Sequence, residues 1–290
     1  MTDQTAYIGE LQRNQTNKSA KQNRYFKSEA KRTLFAADNF YKSVISHLIC
    51  GMVSSSFLYM AFYVPDLCYI FFGDFLSEAS VGLLSKTVEV ILYVLASFFF
   101  FAFSAGIYTL ASNMKDEPDS TPGAPSVASM ADMLTPLNSF KNFGRTFALF
   151  LIVAVELTVS VLPSVFVFLL SDQAGLGTFS SVVIKIVCVQ CSAFACAFFL
   201  SLLVPMPYVI KEDESIGAFA AYKKSASAAL CGIWRVYALV LSFIPLLLLS
   251  AVTCGILFFA YVYPYMSLAL SKAGRYLYYI ENPERRHINE

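Results

Sequence analysis

The sequence predicts an all-α, polytopic membrane protein with six transmembrane helices in three hairpins plus cytoplasmic interfacial helices. Three observations predict it. Hydrophobic residues make up 57% of the 290 residues and charged residues only 14%, against about 25% charged in soluble domains. Apolar runs long enough to cross about 30 Å of hydrocarbon at about 1.5 Å per residue recur along the chain. The polar segments between them are alternately basic and poor in basic residues, the pattern that orients membrane proteins.

Residues 1–24, rich in Gln, Asn, Thr and Lys, carry too few apolar groups to offset the entropy of ordering and read as a disordered cytoplasmic tail. From Tyr25 to Lys42, Phe26, Ala30, Leu34 and Ala37 recur at helical spacing, which predicts an amphipathic helix against the membrane surface. A membrane domain over 25–279 follows, with spans at 43–64, 88–112, 146–170 and 181–210 and a last apolar stretch from Ala238 to Leu270 that holds no charged residue. Between spans, 115–129 is dense in Pro, Ser, Gly and Asp and reads as a linker. Residues 130–143 and 211–232 read as further surface-lying segments, and 280–290 as a second cytoplasmic tail. The first 42 residues contain no apolar core of the kind a cleavable leader carries.

Charge decides the last stretch between one long tilted helix, kinked at Pro245 and Pro264, and two spans folded back. If it crosses twice, at 235–252 and 255–272, all of the 21 Lys and Arg except Lys86 and Lys185 fall on the side of the N-terminus, which places both termini in the cytoplasm. One helix over 236–271 would run about 54 Å, too long even for a strongly tilted span. The reversal belongs at Thr253-Cys254-Gly255, because glycine alone adopts positive φ at little cost. Asn39-Phe40-Tyr41-Lys42, Asn142-Phe143-Gly144-Arg145 and Gly232-Ile233-Trp234-Arg235 each put an aromatic and a basic residue ahead of an odd-numbered span. They fit either three hairpins descended from one unit or ordinary interfacial anchoring.

Few residues suggest chemistry. The histidines are His47 and His287, no His-Glu-x-x-His occurs, and no phosphate-binding loop or nucleophile elbow is present; neither an enzymatic activity nor a cofactor is expected. Cys188-Val-Gln-Cys191 has redox spacing but lies in an apolar run, where small residues more often serve helix packing. Gln190 between them is a candidate interhelical hydrogen-bonding residue. Glu156 is the candidate functional acid: about eleven residues beyond Arg145, it falls about 16 Å into the membrane, where a charged carboxylate is costly. It is read as bonded to a Ser, a Thr or Gln190, as a coupling or ligand-binding carboxylate, or as the partner of Lys185. Lys223, Lys224 and Arg235 are candidate interfacial cations for anionic lipid. A formal net charge of +1 excludes a nucleic-acid partner recruited by bulk electrostatics.

Lys224-Ser225, Gly232, Trp234-Arg235, Gly255 and Pro264-Tyr265, with Phe140-Lys141-Asn142-Phe143-Gly144-Arg145 upstream, resemble a bacterial membrane family catalogued only as domain-of-unknown-function family 975. Leu257 departs from that family's pattern, which often has a second glycine there. The resemblance implies a six-span fold in the bacterial cytoplasmic (plasma) membrane and carries no activity. Two functions are expected from the sequence. One is a non-catalytic membrane protein that binds or remodels a membrane partner, a lipid or a peptide in the cell envelope, with lipids and other membrane proteins as partners; the other is a small transporter or permease component.

Overall fold

The structure is a computed structural model and describes residues 15–36, 38–73, 75–114, 128–173, 178–253 and 255–281. Among the described residues every regular element is helical and no strand occurs. Five helices among the described residues are long and apolar enough to cross a membrane, over Asn39–Val64, Glu78–Asn113, Phe140–Leu170, Ser180–Glu212 and Ile233–Val252.

The first helix, α1 (Gln15–Leu34), begins earlier than the expected amphipathic helix and takes in part of the segment read as a disordered tail; residues 1–14 lie outside the described ones. Its apolar face is real, but it faces protein instead of lipid. Phe26, Ala30 and Leu34 are buried in one core with Val236, Leu239 and Leu268. A Glu29–Lys272 ion pair at 3.1 Å and a hydrogen bond from Gln22 to Tyr276 fix the same contact.

Two long pairs follow. α2 (Asn39–Phe72) packs along α3 (Glu78–Asn113), and both overrun the apolar runs at 43–64 and 88–112. Aromatic and aliphatic residues carry α2 past Asp66, and the Ser77 hydroxyl, accepting from the Ser80 amide, starts α3. α4 (Phe140–Gln173) packs along α5 (Thr178–Leu202). The linker at 115–129 falls outside the described residues except for Ala128 and Ser129. Within the segment at 130–143, Met130–Leu137 forms a 3₁₀-helix, opened by a Ser129–Asp132 capping box, and Phe140 already opens α4. That 3₁₀-helix lies against α3 at Gly106, where a Cβ would fall 1.8 Å from the Met133 carbonyl oxygen, so only glycine permits the approach.

Prolines shape the remainder. Pro205 stands between α5 and α6 (Met206–Glu212). α7 (Ala218–Leu230) leads through Gly232 into α8 (Ile233–Leu241) and α9 (Ile244–Val252). Pro245, which has no N–H and collides with the carbonyl four residues back, separates α8 from α9; at that break Lys27 Nζ donates to the Ser242 carbonyl at 2.8 Å and lies 4.3 Å from the Phe243 ring centroid. Burial pulls the Lys27 ammonium below its usual pKa. Gly255 has φ +81°, a conformation glycine adopts at little cost, and its amide donates to the Ser250 carbonyl at 2.9 Å. Ahead of Pro264 the ladder widens into a π-helix (Phe258–Val262), Tyr263 N–H donating to Phe258, before α10 (Tyr263–Glu281) begins.

α10 is the centre of the molecule. Tyr265, Ser267, Leu268, Ala269, Leu270, Ser271, Ala273, Leu277 and Tyr278 are all buried, because α1, α3, α7 and α8 surround it.

Candidate functional site

Glu156 lies on α4 and meets a partner the sequence did not suggest. The hydroxyl of Tyr222, on α7, donates to Glu156 Oε1. Glu156 Oε2 is buried without a hydrogen-bond partner among the described residues. Lys185 and Gln190 are not brought to this carboxylate. Lys185 Nζ lies 5.4 Å from the centroid of Phe168, twelve residues beyond Glu156 on α4 and thus about 18 Å along the helix. Gln190 is on the exposed side of α5.

α7 reaches Glu156 because one face of it is packed into the bundle while Phe219 and Lys223 stay exposed. Ala221, Ser225, Ala228 and Ala229 recur at helical spacing and are fully buried, so their small side chains let α7 press against α4, α5, α6 and α10. The Ser225 hydroxyl donates to the Leu202 carbonyl at 2.6 Å, satisfying a group that the break before α6 leaves open. That stripe of small residues was the available signal for the contact. Read as a surface helix, the segment gave no reason to look for it.

Below Glu156, α4 and α5 are joined by a serine ladder. Ser164 Oγ donates to the Cys188 carbonyl at 2.8 Å and lies 2.6 Å from Ser192 Oγ, and Ser192 Oγ donates to the Ser160 carbonyl at 2.8 Å. The Cys-Val-Gln-Cys segment therefore packs through Cys188 and its backbone. Cys188 and Cys191 are free thiols, as are the other described cysteines.

The basic candidates divide. Lys223 is exposed and Lys224 half-buried, its Nζ 5.8 Å from the Tyr278 ring centroid. Arg235 donates to the Tyr276 hydroxyl at 3.3 Å. Beside it Trp234, the one tryptophan of the chain, is 81% exposed and projects from the start of α8. The Tyr237 hydroxyl ties α8 to the Phe194 carbonyl of α5 at 2.9 Å.

Among the described residues no three His, Cys, Asp or Glu side chains gather where they could hold a metal ion together. The arrangement around Glu156 clamps α7 onto the α4–α5 pair and leaves one buried carboxylate oxygen as an open acceptor. In comparisons with protein-family models, with curated proteins and with solved structures nothing matches the chain, so the family resemblance rests on the residues named for it alone.

Proposed function

We propose that the chain is a non-catalytic integral membrane protein of the bacterial cytoplasmic membrane, crossing it six times in three hairpins with both termini cytoplasmic, and that it binds membrane lipid at the corner between α7 and α8. The observation that carries the reading is the chemistry of that corner. An almost fully exposed Trp234 adjoins Arg235, and Lys223 is exposed on α7, next to helices whose outward surface is apolar. Tryptophan with Lys and Arg is the usual composition at the level of lipid headgroups, and each basic residue near an anionic surface contributes about 1 kcal/mol. The fifth and sixth crossings are supported by the positive φ of Gly255 and by the distribution of basic residues on either side of it.

The lone tryptophan makes the proposal measurable. In nanodiscs, Trp234 emission is expected to be quenched by lipids brominated near the headgroup, more strongly when the brominated lipid is anionic, and less so after Lys223→Gln with Lys224→Gln. Emission indifferent to every brominated lipid would remove the lipid-binding reading. Reporter fusions after Met114, Gly175, Ser225 and Glu290 read cytoplasmic, external, cytoplasmic and cytoplasmic on this topology; an external signal at Glu290 reverses it.

A second reading, a small transporter or permease component, is favoured by one observation, the buried and unpartnered Oε2 of Glu156. An acceptor of that kind inside a span suits a coupling proton or a cationic ligand.

A further inference from the structure

The interior between α2, α3 and the π-helix holds a second polar cluster that the lipid-binding reading does not use. His47, on α2, has no exposed surface. Its Nδ1 lies 2.6 Å from the Ser43 carbonyl. A carbonyl only accepts, so Nδ1 carries the hydrogen and the neutral ring keeps its lone pair on Nε2. Nε2 is buried and has no hydrogen-bond partner. A backbone carbonyl holding one imidazole nitrogen so that the other presents its lone pair is the usual second shell of a metal-binding histidine.

One turn further along the same face is Cys50, 1% exposed; residues three apart on a helix are neighbours. Its thiol donates to the Phe100 carbonyl at 4.0 Å, and the Ser54 and Ser104 hydroxyls lie beside it. Met133, 2% exposed, belongs to the same buried cluster as Cys50 and Phe103, brought there by the close approach at Gly106. Tyr263 closes the cluster from the end of the π-helix, its ring edge-on to the imidazole with centroids 4.3 Å apart, and its hydroxyl faces Ser104. π-Helical turns often mark functional sites.

We propose that this cluster binds one soft monovalent metal ion, cuprous copper in chemical class, through His47 Nε2 and the Cys50 thiolate, with the Met133 thioether in support. Imidazole, thiolate and thioether are the donors that select such an ion, and the carboxylates that magnesium, calcium or manganese would need are missing from the cluster. Charge points the same way. The neighbouring groups, Ser43, Ser46 and Ser54 on α2, Ser104 on α3 and Tyr263, are all uncharged. A monovalent ion with one thiolate leaves the apolar interior neutral, whereas a divalent ion leaves an uncompensated positive charge, which is costly there. The binding step is a proton exchange with no redox change. The thiol S–H bond is lost, a sulfur–metal bond forms, and one proton leaves for each ion bound.

The test uses silver(I), a redox-inert ion of the same charge and softness, with the full chain in nanodiscs and chloride-free buffer. The chain carries Cys50 as its single cysteine, Cys68, Cys188, Cys191, Cys196, Cys231 and Cys254 being replaced by serine. One silver retained per chain after desalting, one proton released, and nitrogen together with sulfur in the silver X-ray absorption spectrum are expected. Losing a mere second-shell partner costs about 10–100-fold in metal affinity, so His47→Gln is expected to cost at least that much, and Met133→Leu to weaken binding without abolishing it. No retained silver in the single-cysteine chain overturns the proposal. So does undiminished binding in His47→Gln, which would mean adventitious binding to a thiol only. Should His47→Gln not fold, the absorption spectrum of the parent decides, because sulfur-only coordination rejects the site.

Discussion

α5 and α10 are the two extremes of this molecule. α5 belongs to a strongly apolar candidate span, Ser180–Glu212, yet only 17% of that span's most apolar stretch is buried. Val183, Ile186, Val187, Val189 and Phe194 all face outward. α10 is interrupted by serines, a lysine and an arginine and is the most enclosed. The contrast shows what apolarity is for in each place. On α5 it gives an outward surface suited to hydrocarbon. On α10 specificity comes from close packing of small residues and from polar side chains that find partners inside, Lys272 with Glu29, Tyr276 with Gln22 and Arg235, Ser271 with Tyr208 at 3.0 Å.

The sharpest test of that contrast is truncation on each helix. Leu268→Ala, at a position with no exposed surface, is expected to cost about 2–4 kcal/mol, chiefly through the cavity it leaves. Ile186→Ala, 60% exposed on α5, is expected to stay within about 0.5 kcal/mol, as exposed substitutions usually do. Thermal melts or graded unfolding in mixed micelles measure both. Equal losses would show that α5 is covered by protein in the working assembly.

Removing a charge gives the next largest effect. The side chains of Lys272 and Glu29 are 10% and 20% exposed, between the surface and the buried case, so Lys272→Met is expected to cost about 2 kcal/mol. Adding Glu29→Met should restore part of that, because the stranded carboxylate disappears with it. No recovery in the double variant breaks the view that α1 is held by this pair.

The smallest expected effect is on the α4–α5 ladder. Ser164→Ala removes two of its contacts and should cost about 0.6 kcal/mol, and no more than about 1.7 kcal/mol, the range found for interhelical hydrogen bonds in membranes. A cost as large as that of Leu268→Ala would make the ladder, not α10, the principal constraint.

Much of the fold was legible because spans announce themselves by composition, and because the Gly255 turn needed a residue tolerant of positive φ. Two kinds of feature were not. Helix ends were hidden where aromatic and aliphatic residues continue the apolar surface past a charge, as Tyr69, Ile70 and Phe71 do beyond Asp66. Contacts made in the third dimension were hidden as well. Nothing local to Glu156 names Tyr222, sixty-six residues away, and only the periodicity of Ala221, Ser225, Ala228 and Ala229 indicates that α7 is pressed into the bundle. Phe26, Ala30 and Leu34 were recognised as one face, but an apolar face suits lipid and protein equally well, and the sequence alone does not choose between them.

The pairing of α1 with α10 also sets an order in time. Glu29 leaves the ribosome well before Lys272, 243 residues later in the chain; at about 5–20 residues per second that is a delay of about 12–50 s. Throughout it, the buried face of α1 and the inner surfaces of the spans already inserted lack the helix that fills them. Insertion can proceed span by span, but closure waits for the last helix to be made. A ribosome stalled before codon 263 would leave an inserted yet open molecule for membrane proteases to recognise.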